Sequence, residues 1–220
     1  MSVLIIGISG VTCGGKTTAT SELLKLFSNS KVFYQDNYFF DQNDPRHVWC
    51  EEVNHINYDI LTSMDMEKMY KDIVEAIENR KVSNRSNRKR AINNRNDSNV
   101  NDTDINICQN ISELLKKHNV QLFFVDGFLL FNYKPFLSLI SMKYFFTLAK
   151  DECKKRRDKR VYDPPDIPGY FENCVWPEYI RHLEEIKNYV GDITYLESET
   201  QETINIILHD IYEYLKINYI

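Results

Sequence analysis

The chain reads as an α/β protein, a three-layer sandwich with a mostly parallel five-stranded sheet between helices. Three observations predict this. Apolar runs of strand length alternate with amphipathic helical stretches, the pattern of strands joined by crossover helices. The first apolar run passes straight into a glycine-rich turn and then a helix. The length of 220 residues, 43% hydrophobic and 27% charged, suits one domain with a sizeable core.

The elements follow in order. Val3–Ile8 is a continuous aliphatic run, a buried strand, and Lys16–Phe27 a helix. Lys31–Tyr34 is a short second strand, followed by a polar, aromatic loop from Gln35 to about Asp59. The spacing of Met66, Met69, Ile73 and Ile77 predicts a helix over Asp65–Asn79. Residues from about 83 to 106 are rich in Asn, Ser, Asp and Arg and poor in aliphatics, the composition of a disordered insertion. A short helix is expected at Ile111–His118, then strands at Gln121–Val125 and Met142–Leu148. A basic helix is expected over Asp151–Val161, then a helix at Trp176–Val190 and a last strand at Ile193–Leu196. Ile204, Ile207, Leu208, Ile211 and Leu215 mark the final helix by their helical spacing.

Composition narrows the function. A net charge of -5 argues against bulk affinity for nucleic acid. Five cysteines without paired spacing argue for a reducing compartment. No apolar run approaches the length of a membrane span, and VLIIGI lacks the basic leader of a signal segment. A cytoplasmic location is the expectation.

The strand ends hold the chemistry, because ligands of open parallel sheets gather at the carboxyl ends of the strands. After the first strand comes Gly10-Val11-Thr12-Cys13-Gly14-Gly15-Lys16-Thr17. This matches G-x-x-x-x-G-K-[ST] between a strand and a helix, the context of a P-loop. Its backbone N–H groups and the helix N-terminus suit a phosphate chain. Lys16 reaches the outer phosphates, and the Thr17 hydroxyl suits Mg²⁺. The fold class becomes that of the P-loop NTPases. Cys13 reads as a small filler, the alternative being an oxidation-sensitive thiol.

After the second strand comes Asp36, placed to take a proton from an attacking hydroxyl, or else a loop or cap residue. After LFFV comes Asp126, placed as a Walker-B carboxylate on Mg²⁺, or else half of an Asp-Gly turn. The basic helix carries Arg156, Arg157 and Arg160, a phosphoryl clamp or a solvated surface. The stiff DPPDIPGYF loop that follows suits a flap, making the preceding helix an Arg-bearing lid. His47, Cys50 and His55 lie close in sequence but lack a second ligand pair with zinc spacing. Arg85 to Arg95 reads as solvated linker, with nucleic-acid contact the lesser alternative. No guanine-reading N-K-x-D follows, so a small-molecule phosphotransferase with an alcohol acceptor is the class that fits.

Five segments carry a family resemblance: IIGISGVTCGGKTT, QDNYFF, INYDIL with MDMEKM, DGFLLFNYKP, and ECKKRRDKRVYDPPDIPGYFENCVWPEY. On these the sequence resembles the nicotinamide riboside kinases, a branch of the uridine-kinase-like P-loop kinases. The resemblance implies phosphorylation of the ribose 5′-hydroxyl of nicotinamide riboside by ATP, with nicotinic acid riboside as a second substrate, in NAD salvage. It implies that Gly10 to Thr18 hold the ATP phosphates, with Arg156 and Arg160 contacting ATP. Thr17 and Asp36 bind Mg²⁺, and Asp36 accepts the proton. Asp36, Asn37, Tyr38 and Phe39 line the riboside pocket, and Tyr58, Asp59, Arg157, Tyr162 and Asp163 bind the substrate.

The chain departs from the family where Glu is common at Asp126 and uncharged Gln at Asp163. The shorter Asp126 leaves direct and water-bridged metal contact both open. An acid at 163 would favour the cationic amide riboside over its carboxylate counterpart. ATP and a riboside are the expected partners, without nucleic acid or membrane, and a monomer is expected. The alternatives are a uridine/cytidine kinase and, more remotely, a non-catalytic ATP-binding module that recruits a partner through the basic insertion.

Overall fold

The computed structural model describes residues 2–83, 102–162, 164–197 and 201–220. Strand β1 (Ser2–Gly10) leads into helix α1 (Lys16–Leu26) and strand β2 (Lys31–Tyr34). A short 3₁₀ turn at Gln35–Tyr38 follows, then a small hairpin of β3 (Trp49–Cys50) and β4 (His55–Ile56). Helices α2 (Met66–Ser83) and α3 (Asp102–His118) precede strand β5 (Val120–Asp126). Strand β6 (Met142–Thr147) and helix α4 (Lys150–Arg157) come next. A π-helical turn at Phe171–Val175 runs into α5 (Trp176–Tyr189), followed by β7 (Ile193–Glu197) and α6 (Gln201–Tyr219).

The five long strands form one parallel sheet in the order β2-β5-β1-β6-β7. Side chains alternate between its faces, as the two-residue repeat of a strand requires. Leu4, Ile6 and Ile8 of β1, Leu122 and Phe124 of β5, and Tyr144 and Phe146 of β6 join one buried cluster with residues of α1, α3 and α6. Ile5, Phe123, Val125 and Phe145 face the other way, into a cluster with α2 and α5. Burial on both faces explains why these strands read as unbroken apolar runs.

Register positions the site. Ile8 of β1 and Tyr34 of β2 both pair with Asp126 of β5, so β2 and β5 end at one level and β1 runs two residues further, to Gly10. The P-loop, Asp36 and Asp126 leave the sheet side by side, where the chain order of the strands reverses.

Two expected elements differ. Helix α3 begins at Asp102, nine residues before the expected start at Ile111, because Ile107 and Cys108 extend its apolar stripe onto the core. The basic helix ends at Arg157, so Arg160 lies beyond it and shares no helical face with Arg156. Of the expected insertion, residues 84–101, with Arg85 to Arg95 among them, lie outside the described residues, as does Asp163.

Candidate active site

The P-loop is built on close backbone approaches. Gly10 has φ +127°, and a Cβ there would lie 2.1 Å from the Phe146 carbonyl oxygen, so no side chain fits. Val11 N–H donates to that same oxygen at 2.9 Å, tying the loop to β6. Gly15 caps α1 in a left-handed conformation, and no side chain caps the first turn. Its N–H groups keep their capacity for an anion.

Lys16 Nζ donates to the Gly10 and Val11 carbonyls at 3.0 and 2.7 Å. Burial lowers its pKa, while Asp126 and Asp36 act in the opposite direction. Both acids line the same cavity as the lysine. Burial likewise raises the Asp126 carboxyl, with Lys16 opposing. Asp126 is only 4% exposed; the Thr20 and Thr17 hydroxyls act on its carboxyl, yet its Oδ2 makes no well-formed hydrogen bond. A buried oxygen lacking a partner suits a metal ion or a metal-bound water.

A second group surrounds Asp59. The Tyr170 hydroxyl donates to Asp59 Oδ2 at 3.1 Å and accepts the Tyr58 N–H at 3.0 Å. Burial raises the Asp59 carboxyl, with Arg157 and the Tyr170 bond opposing. The Tyr58 ring stands edge-on to Phe39, centroids 5.8 Å apart, and Phe39 stacks on Phe128. Arg157 joins the two groups. It grips Asp166 through Nε at 2.5 Å and Nη2 at 2.9 Å, and Nη1 donates to Thr12 Oγ1 at 3.1 Å. Its guanidinium lies 4.4 Å from the Tyr162 ring, whose hydroxyl meets Cys13 Sγ at 3.5 Å.

One cavity of about 600 Å³ is lined by both groups. Thr12, Cys13, Lys16, Thr17, Asp36 and Asp126 line it on the P-loop side, and Phe39, Tyr58, Asp59, Arg157 and Tyr162 form its aromatic and acidic wall.

No family model matches the chain. Relatives do. It is 35% identical over 202 residues to nicotinamide riboside kinase 1 of Rattus norvegicus, covering 92% of this chain and 89% of that protein. It is 34% identical over 210 residues to human nicotinamide riboside kinase 2, covering 94% and 80%. The chain belongs to the nicotinamide riboside kinase family. A uridine kinase of Streptococcus gordonii is more distant, at 24% identity over 220 residues, covering 97% and 96%.

In this riboside kinase the residues expected at the site do not all meet in the cavity. Arg160 reaches it from the turn after α4. Arg156 instead bonds Glu152 at 2.8 Å and the Cys13 carbonyl at 3.3 Å, bracing the P-loop from outside. Tyr38 turns away, its hydroxyl donating to Asp72 of α2 at 3.0 Å. Asn37 is exposed and Thr18 faces solvent on the first turn of α1. Neither lines the cavity.

Other functional residues escaped the sequence reading. Gln35 is fully buried, and its Oε1 accepts the N–H groups of Phe128 at 2.8 Å and Leu129 at 3.0 Å. It fixes the turn after Asp126 beside Asp36. A Cβ on Gly127 would lie 2.5 Å from that amide, so the glycine makes room for the clamp. Tyr170 reaches Asp59 across 111 positions of chain, a separation at which no local pattern signals contact. Asp166 had a signal, an acid set between prolines nine residues after an arginine.

Proposed function

We propose that this chain transfers the γ-phosphoryl of Mg·ATP to the ribose 5′-hydroxyl of nicotinamide riboside, giving nicotinamide mononucleotide, with nicotinic acid riboside as a second substrate. One observation carries the reading: a single cavity is lined both by Lys16, Thr17, Asp36 and Asp126 and by Phe39, Tyr58, Asp59, Arg157 and Tyr162. The family relatives at 34–35% identity support it.

In this reading the P-loop amides, Lys16 and Arg160 bind the phosphates of ATP. Thr17, Asp36 and Asp126 are the side chains that would hold Mg²⁺, and the unpartnered Oδ2 of Asp126 supports that fit. The bound ion offsets charge on the phosphate oxygens. Tyr58, Phe39 and Tyr162 present aromatic faces to the cationic pyridinium ring. Asp59, held by the Tyr170 hydroxyl, accepts hydrogen bonds from the ribose hydroxyls. Asp36 takes the proton of the 5′-hydroxyl as that oxygen attacks. Alignment and electrostatics supply the rest of the rate. Arg157, Tyr162 and the 164–170 segment act as the lid that excludes water.

Among the described residues no helix is long and apolar enough to cross a membrane. The proposal includes a cytoplasmic monomer acting on ATP and a riboside, with no nucleic acid or membrane partner.

The test is product formation from Mg·ATP with nicotinamide riboside, nicotinic acid riboside, uridine and cytidine, beside Asp36→Asn. We expect turnover of the pyridine ribosides, lowered about 10²–10⁴-fold in the variant with ATP affinity kept. Turnover of uridine alone would replace the substrate assignment. An Asp36→Asn enzyme with near-normal turnover would remove Asp36 as the base.

A further inference from the structure

His55 has no role in the chemistry above, yet its ring lines the same cavity. It opens β4, opposite Cys50 in the hairpin. Its ring stands 5.9 Å from that of Tyr58 and 5.0 Å from that of Tyr170, tilted at 63° and 61°. Both tyrosines belong to the group around Asp59, so His55 sits with the residues assigned to the riboside.

The hydrogen bonding of the imidazole defines what it offers. Nδ1 lies 2.9 Å from the Ile56 carbonyl oxygen. A carbonyl only accepts, so Nδ1 carries the proton of the neutral ring and Nε2 is left as a bare acceptor. The neighbouring polar groups have the same bias. Asp41, Asp59 and Asp166 line the cavity as acids. Of the cations lining the cavity, Lys16 is bonded to the Gly10 and Val11 carbonyls, Arg160 enters from the turn after α4 beside the P-loop, and Arg157 is engaged on both oxygens of Asp166 and on Thr12. A ligand group meeting His55 finds the bare Nε2 acceptor, with the Asp59 carboxylate in the same cavity and Asp166 balanced by Arg157. An amide N–H is welcome there, and a carboxylate is opposed by lone pairs and by like charge.

We infer that His55 is a specificity-determining residue that reads the substituent of the pyridine ring, accepting an N–H of the carboxamide through Nε2 and disfavouring a carboxylate. The inference rests on the riboside kinase reading and deepens it.

The experiment compares kcat/KM for nicotinamide riboside and nicotinic acid riboside, at about pH 8 and saturating ATP, in the native chain, His55→Phe and His55→Lys. The native chain should prefer the amide by roughly three- to tenfold, the scale of one hydrogen bond. His55→Phe keeps an aromatic ring but removes the acceptor, and should bring the ratio close to one. His55→Lys supplies a donor and a positive charge, and should invert it. Asp163 would push the native ratio in the same direction, so the two variants separate its effect from that of His55. Native turnover of both ribosides at equal kcat/KM, or an amide preference that both variants retain, would overturn the inference and leave the kinase reading standing. Turnover of neither riboside would remove the kinase reading first, and this inference with it. Should His55→Phe fail to fold, the sign of the ratio in His55→Lys decides.

Discussion

Burial makes the charged form of Asp126 costly. Burial raises its carboxyl pKa despite the nearby Lys16, so the folded chain keeps that proton to higher pH than the unfolded chain does. Stability therefore falls as pH rises through the window between the two pKa values, and above it the ionised carboxylate destabilises the fold. Asp126→Asn removes that penalty. We expect it to melt higher than the native chain at neutral pH, with the gain vanishing in acid, while Mg·ATP-dependent turnover is lost. Thermal unfolding across pH checks this. A variant melting lower at neutral pH would mean that the attraction of Lys16 outweighs the burial. At this scale the sequence was most informative for the P-loop, where motif and flanking elements agree. It was least informative for Tyr38 and Asn37, because a side chain's direction depends on its neighbours. Tyr38 points to Asp72, a partner 34 positions along the chain.

At the scale of elements, the strands and most helices were legible from periodicity. Each packs an apolar face or stripe, and that repeat is written locally. Helix ends were less so. The basic helix stops at Arg157, whose side chain bonds Asp166 and Thr12, partners that no helical repeat signals. The turn after β5 depends on Gln35, which follows β2 and joins two elements far apart in sequence. Gln35→Leu would leave the buried N–H groups of Phe128 and Leu129 unpaired, at about 1–3 kcal/mol for each. We expect the melting temperature to fall by about 2–4 °C per kcal/mol lost, with turnover falling as Asp126 shifts. A loss below about 1 kcal/mol would show that the turn holds its shape without the clamp.

Across the whole molecule, the cavity lies where the ends of β1, β2 and β5 meet residues returning after α4, Tyr162, Asp166 and Tyr170 among them. Arg157 is the joint. It is 7% exposed, bidentate on Asp166, bonded to the P-loop through Thr12, and set against Tyr162. Lysine keeps the charge but loses the planar fork and the stacking surface. Arg157→Lys should therefore raise KM for both ATP and riboside and lower kcat, because one residue braces both walls. A change confined to the riboside KM would show that Arg157 serves the acceptor alone.

The sequence by itself determined the fold class, the phosphate-binding loop and the acids at two strand ends, since each is set by a short run of neighbouring residues. Tertiary structure alone decided that those acids line one cavity, that Arg160 reaches it while Arg156 bonds the Cys13 carbonyl, that Tyr170 and His55 line it too, and that Gln35 holds the turn beside it. These facts depend on strand register and on contacts between residues up to 149 positions apart, as for Cys13 and Tyr162. Such contacts form only when the sheet is assembled, and no local pattern of residues encodes them.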